Sequence, residues 1–122
     1  MTSQKPYFIR ALYEWCIDNN FTPHLLTFVD NNTMVPKQFV RDNQIVLNIA
    51  YSATKDLLID NEWVTFKATF SGSIQDIAIP VGNVLAVFAK ENGQGMQFEL
   101  ENQAPTTSPE PATTGSGLKL VK

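Results

Sequence analysis

The residues whose chemistry could break or make a covalent bond are few and do not converge. The 122-residue chain has one histidine, His24, and one cysteine, Cys16. His24 stands beside Pro23 at the head of an apolar stretch, which reads as a structural or surface imidazole rather than a ligand or general base. Cys16 falls inside an apolar helical pattern, the setting of a buried thiol, and alone it cannot form an internal disulfide. Asp30, Asp42, Asp56 and Asp60 occur singly at turns, where side-chain hydrogen bonds to the local backbone account for them. No Cys/His spacing suits zinc, and Gly93 and Gly95 lack the strand-to-helix setting of a phosphate loop. No Ser/His/Asp constellation can be assembled. The expectation is a protein that is not an enzyme, with no catalytic residue, metal or cofactor, and the chemistry left to it is recognition.

Two places could recognise another chain. Asn48 interrupts the apolar run Ile45-Val46-Leu47-Asn48-Ile49-Ala50 and puts one amide among core-type side chains. Ser71, Gly72 and Ser73 follow Phe70 and leave backbone groups that a second chain can approach. The plainer alternatives are that Asn48 caps a nearby backbone group and that Gly72 makes a turn. A third feature is the ending Leu118-Lys119-Leu120-Val121-Lys122, apolar and basic. It follows a stretch, 101–117, with three prolines, two glycines, six Ser/Thr and no Val, Leu, Ile or aromatic residue. That stretch cannot bury enough apolar area to offset its ordering entropy, so the ending reads as a docking peptide on a tether, against the alternative of an inert frayed end.

These features need elements to hold them. Pro6 suits the first turn of a helix running to Ile17, with Asn19 and Asn20 stopping it. Phe8, Ala11, Leu12, Trp15 and Cys16 share one face, while Ile9, Tyr13 and Ile17 line another. One face covers the domain's own core, and the other meets a second copy across a two-fold axis unless the helix is sunk in a monomer's core. Strands are predicted at His24–Val29, at Met34–Val40 as an edge interrupted by Pro36, and at Ile45–Ala50, with Arg41-Asp42-Asn43-Gln44 as a tight connection. Further strands are predicted at Trp63–Phe70 and Ile74–Ile79. Val84, Leu85, Val87 and Phe88, with Lys90 and Gly93, suggest a second short helix. The fold class expected is mainly β with two helices (α+β), a small, partly open antiparallel barrel. The first 100 residues carry seven Lys/Arg against ten Asp/Glu, which argues against phosphate-backbone binding. The N-terminus has no apolar leader segment and no run is long enough to span a bilayer, so a cytoplasmic protein with no membrane partner is expected.

Several stretches taken together resemble the stringent starvation protein B family: Pro6-Tyr7, Arg10-Ala11, Tyr13-Glu14-Trp15, Thr22-Pro23-His24-Leu25, the run from Arg41 to Ala50, and Glu91-Asn92-Gly93. The resemblance covers residues 6 to about 98 and resumes at Gly117-Leu118-Lys119-Leu120-Val121-Lys122. It implies a homodimeric proteolysis adaptor with an Sm-like barrel that binds the ssrA degradation tag of stalled-ribosome products and delivers tagged proteins to the ClpXP protease. The tag would lie in a groove formed by Asn48, Ile49 and Ala50 and by Ala68, Phe70, Ser71, Gly72, Ser73 and Ile74, near the second helix, with Lys67 as a local cation. Ile9, Tyr13 and Ile17 would form the dimer contact. Leu118, Lys119, Leu120, Val121 and Lys122 would dock on the N-terminal zinc-binding domain of ClpX. The implied organisation is a tag-binding and dimerisation domain at 1–98, a linker at 99–117 and a docking peptide at 118–122. The linker departs from the family pattern, being short and carrying only Glu101 and Glu110 over residues 101–117, a stretch that as a flexible coil spans about 23 Å. An RNA- or ribosome-associated Sm-like module is the alternative.

Overall fold

The computed structural model describes residues 3–101; the calls on the linker beyond Glu101 and on Leu118–Lys122 lie outside them. Helix α1, Lys5–Asp18, opens the chain with Pro6 in its first turn. Seven strands follow: β1 Pro23–Phe28, β2 Gln44–Asn48, β3 Lys55–Ile59, β4 Trp63–Phe70, β5 Ser73–Pro80, β6 Val84–Ala89 and β7 Gly95–Gln97. They form two antiparallel sheets, one ordered β2-β1-β6-β7 and the other β3-β4-β5. The fold is therefore the small, mainly β, α+β fold expected, with one α-helix among the described residues instead of two.

The second helix is a strand. Val84–Ala89 is six consecutive apolar residues, and such a short run has no period that separates helix from strand. Here it lies between β1 and β7 as an interior strand, buried almost throughout. Gly93 (φ 73°) closes a hairpin rather than a helix: its N–H donates to Ala89 O at 2.7 Å, and Ala89 N–H donates to Gln94 O at 2.8 Å. Met34–Val40 likewise differs from the expected strand. Only Met34 pairs, exchanging both hydrogen bonds with Ala78 on β5 (2.8 and 3.0 Å), and after Pro36 the chain makes a 3₁₀ turn at Lys37–Phe39.

Turn chemistry follows the sequence closely. Asp42 and Asn43 (φ 54° and 61°) form the two-residue turn between Arg41 and Gln44, which exchange hydrogen bonds of 2.8 and 2.9 Å. Ser71 and Gly72 (φ 51° and 85°) make the β4–β5 turn, with Phe70 opposite Ser73. Asp30 Oδ1 accepts from Asn32 N–H and Thr33 Oγ1, and Asp60 Oδ1 accepts from the N–H groups of Glu62 and Trp63.

Both sheets contribute to one core: Leu25 from β1, Ile45 and Leu47 from β2, Val64 and Phe66 from β4, Ile77 and Ile79 from β5, and Val84 and Val87 from β6, together with Ile9 of α1. The inner face of α1 is thus Lys5, Ile9, Leu12, Tyr13 and Cys16, which lie within one sector at 100° per residue. Ile9 is fully buried, so it cannot be a dimer contact, and Cys16 is fully buried as well. Cys16 is thus the buried thiol expected, whereas Ile9, grouped from the sequence with Tyr13 and Ile17 as a dimer contact, turns inward; Tyr13 is half-buried against the core and Ile17 is 38% exposed. What the helix leaves uncovered on one flank is Phe8 (42% exposed) and Ala11, beside half-buried Leu12 and Trp15.

Lys5, only 4% exposed, anchors the start of the helix. Its ammonium donates to Gly82 O (3.0 Å), Val84 O (2.9 Å) and Glu99 O (2.7 Å), using all three of its hydrogens, and lies near the Phe98 ring. Burial pushes its pKa below the ordinary lysine range, and the Glu101 carboxylate acts in the opposite sense. Glu101 itself donates its N–H to Gly82 O and accepts from Ser3 Oγ at 2.9 Å. The described chain therefore ends beside the first turn of α1.

Candidate peptide-binding site

The alternation of hydrogen bonds along an antiparallel strand decides which backbone groups face an open edge. On β2, Ile49 N–H donates inward to Pro23 O, so Ile45 and Leu47 also face β1. Val46 and Asn48 therefore direct their N–H and C=O groups outward at the free edge of the first sheet. On β5, Ala78 pairs outward with Met34, so Ile74 and Asp76 present their backbone at the edge of the second sheet. The segment between β1 and β2 connects these edges: Met34 pairs with Ala78, and the Phe39 ring lies 5.5 Å from that of Phe70. Val35, Val40, Ala68 and Phe70 pack partly buried against the core from this seam. The result is an apolar lip between two strand edges, each with unpaired backbone groups, which suits an extended peptide.

The structure divides the predicted groove residues. Ala68, Phe70 and Ser73 share one face of the β4–β5 hairpin, since Phe70 opposes Ser73 and Ala68 opposes Gln75. Ile74 opposes Thr69 on the other face and is 73% exposed, so its side chain points away and only its backbone is available at the edge. Lys67 alternates with Ala68 and points away too. Ile49 is fully buried and belongs to the core, not to a groove wall. Asn48 Oδ1 accepts from Ala50 N–H at 2.9 Å, the local cap that was the plainer reading. Ala50 O in turn accepts from Ala53 N–H and Thr54 Oγ1, so Ala50 has no spare backbone group for a ligand. With β6 a strand, no second α-helix among the described residues borders the site. Sequence reasoning missed Val35, Phe39 and Val40, whose signal was an apolar trio around Pro36 that was assigned to an edge strand.

Two open cavities flank α1. One, of about 350 Å³, is lined by Leu12, Trp15, Gln94 and Gly95 on the flank that carries Phe8 and Ala11. The other, of about 340 Å³, lies where α1 meets β3, lined by Tyr13, Ile17, Tyr51 and Ile59 with Glu14 and Asp18 at its rim. Arg10 closes one end, donating to Ile59 O (2.9 Å) and Asn61 Oδ1 (3.1 Å) and lying over the Tyr7 ring. Burial, and then Tyr51 nearby, push the Tyr13 hydroxyl pKa up.

At the start of β1, Thr22 and Glu91 are joined. Glu91 accepts from Thr22 N–H (2.8 Å) and Thr22 Oγ1 (2.7 Å), which hold its carboxyl below the usual range and pin the entry of β1 to the β6–β7 turn. Two sequence stretches that carry the resemblance thus meet in space. The family model of stringent starvation protein B matches residues 3–118. The chain belongs to the stringent starvation protein B family. A stringent starvation protein B homolog from Haemophilus influenzae is 42% identical over 113 residues, which cover 90% of this chain and 74% of that protein. The stringent starvation protein B match runs through both sheets and on to residue 118. Among the described residues, no helix is long and apolar enough to cross a membrane, and no three His, Cys, Asp or Glu residues group as metal ligands.

Proposed function

We propose that this stringent starvation protein B family member is a proteolysis adaptor: its seam binds the ssrA tag as an extended strand, and Leu118–Lys122 tether it to the N-terminal domain of ClpX. The observation that carries the reading is the pair of open strand edges, Val46/Asn48 and Ile74/Asp76, beside an apolar lip of Val35, Phe39, Val40, Ala68 and Phe70 in a chain of this family. Backbone pairing supplies affinity and the lip supplies side-chain selection. Because Lys67 points away from the lip, binding depends little on ion pairs and weakens only modestly with salt. Two of the seven basic residues in the first 100, Lys5 and Arg10, are engaged by backbone carbonyls of the protein itself, which leaves the RNA reading still fewer cations.

In this reading the exposed flank of α1, with Phe8, Ala11, Leu12 and Trp15, meets the same flank of a second copy, so each adaptor holds two seams and two tails. The tails raise the local concentration of tag at the protease, and no chemical step belongs to this chain. The test is fluorescence anisotropy of a labelled ssrA-tag peptide with the full chain. Saturation at one peptide per subunit is expected, with at least ~10-fold weaker binding for Phe70→Ala, about 1.4 kcal/mol. Deleting Leu118–Lys122 is expected to leave that binding intact and abolish delivery. Absence of saturable binding overturns the reading.

A further inference from the structure

The cleft between α1 and β3 plays no part in the proposed tag site, and its chemistry is specific. Its floor is Tyr13, Ile17, Tyr51 and Ile59, with Tyr51 82% exposed. Its rim carries Glu14 and Asp18, one helical turn apart and so about 6 Å from each other. Neither carboxylate has an ion pair among the described residues. The cation at the other end, Arg10, is already held by Ile59 O and Asn61 Oδ1. An apolar slot with a free carboxylate pair at one end calls for a short apolar-basic peptide, and it disfavours an acidic one.

The chain carries such a peptide. We infer that this cleft receives the chain's own Leu118–Lys122 segment, a self-docked state of the tail. In an extended segment Leu118, Leu120 and Lys122 fall on one side at about 6.7 Å spacing. The two leucines then fill the apolar floor, and Lys122 reaches the Glu14/Asp18 pair at the next position. The geometry of reach agrees. Glu101 is fixed beside the first turn of α1 by its bonds to Gly82 and Ser3. The cleft lies about 12–18 Å further along the helix at 1.5 Å per residue. Residues 102–117 as a coil span about 20–24 Å, so the segment sits near its most favourable distance. A tether of that length gives an effective concentration on the order of 1 mM, enough for a segment of only millimolar affinity to be docked about half the time. Self-docking and capture by a partner are then mutually exclusive uses of the same five residues. The inference goes beyond the adaptor reading and does not depend on it.

The experiment compares amide ¹H–¹⁵N spectra of the full chain with those of the Leu118→Asp/Leu120→Asp double variant, with neither protease nor tag present. Expected are shift changes at Tyr13, Ile17, Tyr51 and Ile59. The Glu14→Lys/Asp18→Lys variant, changed only at exposed positions, should move the Leu118–Lys122 resonances toward those of a free peptide. Salt at ~0.5 M should carry the native spectrum part of the way toward that of the double variant. Identical spectra at the four cleft residues overturn the inference, as do changes confined to the Ala68/Phe70 seam. Shifts that grow with protein concentration also overturn it, by making the occupant the tail of a second copy. Because tag binding is read separately by anisotropy, failure of either idea leaves the other standing.

Discussion

Replacing Lys5 with methionine keeps the length of the side chain and removes its three hydrogen bonds. Gly82 O retains a partner in the Glu101 N–H, whereas Val84 O and Glu99 O lose the ammonium that bound them at 2.9 and 2.7 Å. A buried carbonyl stripped of its partner costs ~1–3 kcal/mol, and since Val84 O is buried but Glu99 O only partly so, the two give a gross loss of about 2–5 kcal/mol. Part of this is recovered because the folded state no longer has to desolvate a charge, which leaves a net cost of about 3 kcal/mol. A domain of this size has a total stability on the order of 5–15 kcal/mol, so the loss is a large share of it. Urea denaturation of native protein, Lys5→Met and Lys5→Arg reads the effect directly. With a slope of roughly 1–1.5 kcal/mol per molar, the midpoint of Lys5→Met should fall by about 2–3 M at unchanged slope, and Lys5→Arg should fall by less. A Lys5→Met midpoint within ~0.5 M of the native value would refute the reasoning, by showing that the ammonium bonds only balance its desolvation.

Gly95 faces Phe88 in the β6–β7 pair, and an added Cβ there would run into the Val87 carbonyl oxygen and lie 2.6 Å from Phe88 Cα, both backbone atoms that cannot swing aside. Gly95→Ala should therefore cost at least ~2 kcal/mol and appear as a lowered thermal midpoint. Glu91 has its folded-state pKa depressed, first by the Thr22 N–H and then by the Thr22 hydroxyl. Its contribution is present above the unfolded carboxyl value of ~4.3 and is lost as pH falls through the lower folded value. The protection of the Thr22 amide against hydrogen exchange, relative to its intrinsic rate at each pH, should fall below that point in native protein, and Glu91→Gln should show the lowered protection already at neutral pH. Ala11→Arg, on the exposed flank of α1, should weaken self-association at least ~10-fold in sedimentation equilibrium and leave the urea midpoint of the subunit fold unchanged.

What could be read from the sequence depended on whether a local signal had one physical meaning. Asp42-Asn43 and Ser71-Gly72 sit at positive φ, which few residue types accept, so both turns were legible, and with them the flanking strands β2, β4 and β5. β1 announced itself by β-rich apolar residues between Pro23 and the Asp30 turn. β6 carried no such asymmetry, because an interior strand buried on both faces has no alternation to show. β3 was hidden by Lys55-Asp56, where Asp56 has φ 58° and the pairing with β4 shifts register. β7 is three residues long, below the reach of any pattern. On α1 the apolar residues fill well over half the circumference, so the sequence could announce two destinations without deciding which side Ile9 and Cys16 took. The seam was half legible: the β4–β5 hairpin was found from its turn, but Phe39 joins it only through the Phe70 ring, a contact that no local pattern encodes.

The clasp at Lys5 also has a mechanical meaning. Glu99 and Glu101 are fastened to Lys5, Gly82 and Ser3 at the C-terminal end of the described residues. Tension applied to the C-terminal end is transmitted first to these bonds and to the short β7 pairing behind them, and the interior strands bear load only after both have yielded. In the proposed adaptor, held to a machine that pulls on other chains, this clasp would act as a strain relief at the root of the tail.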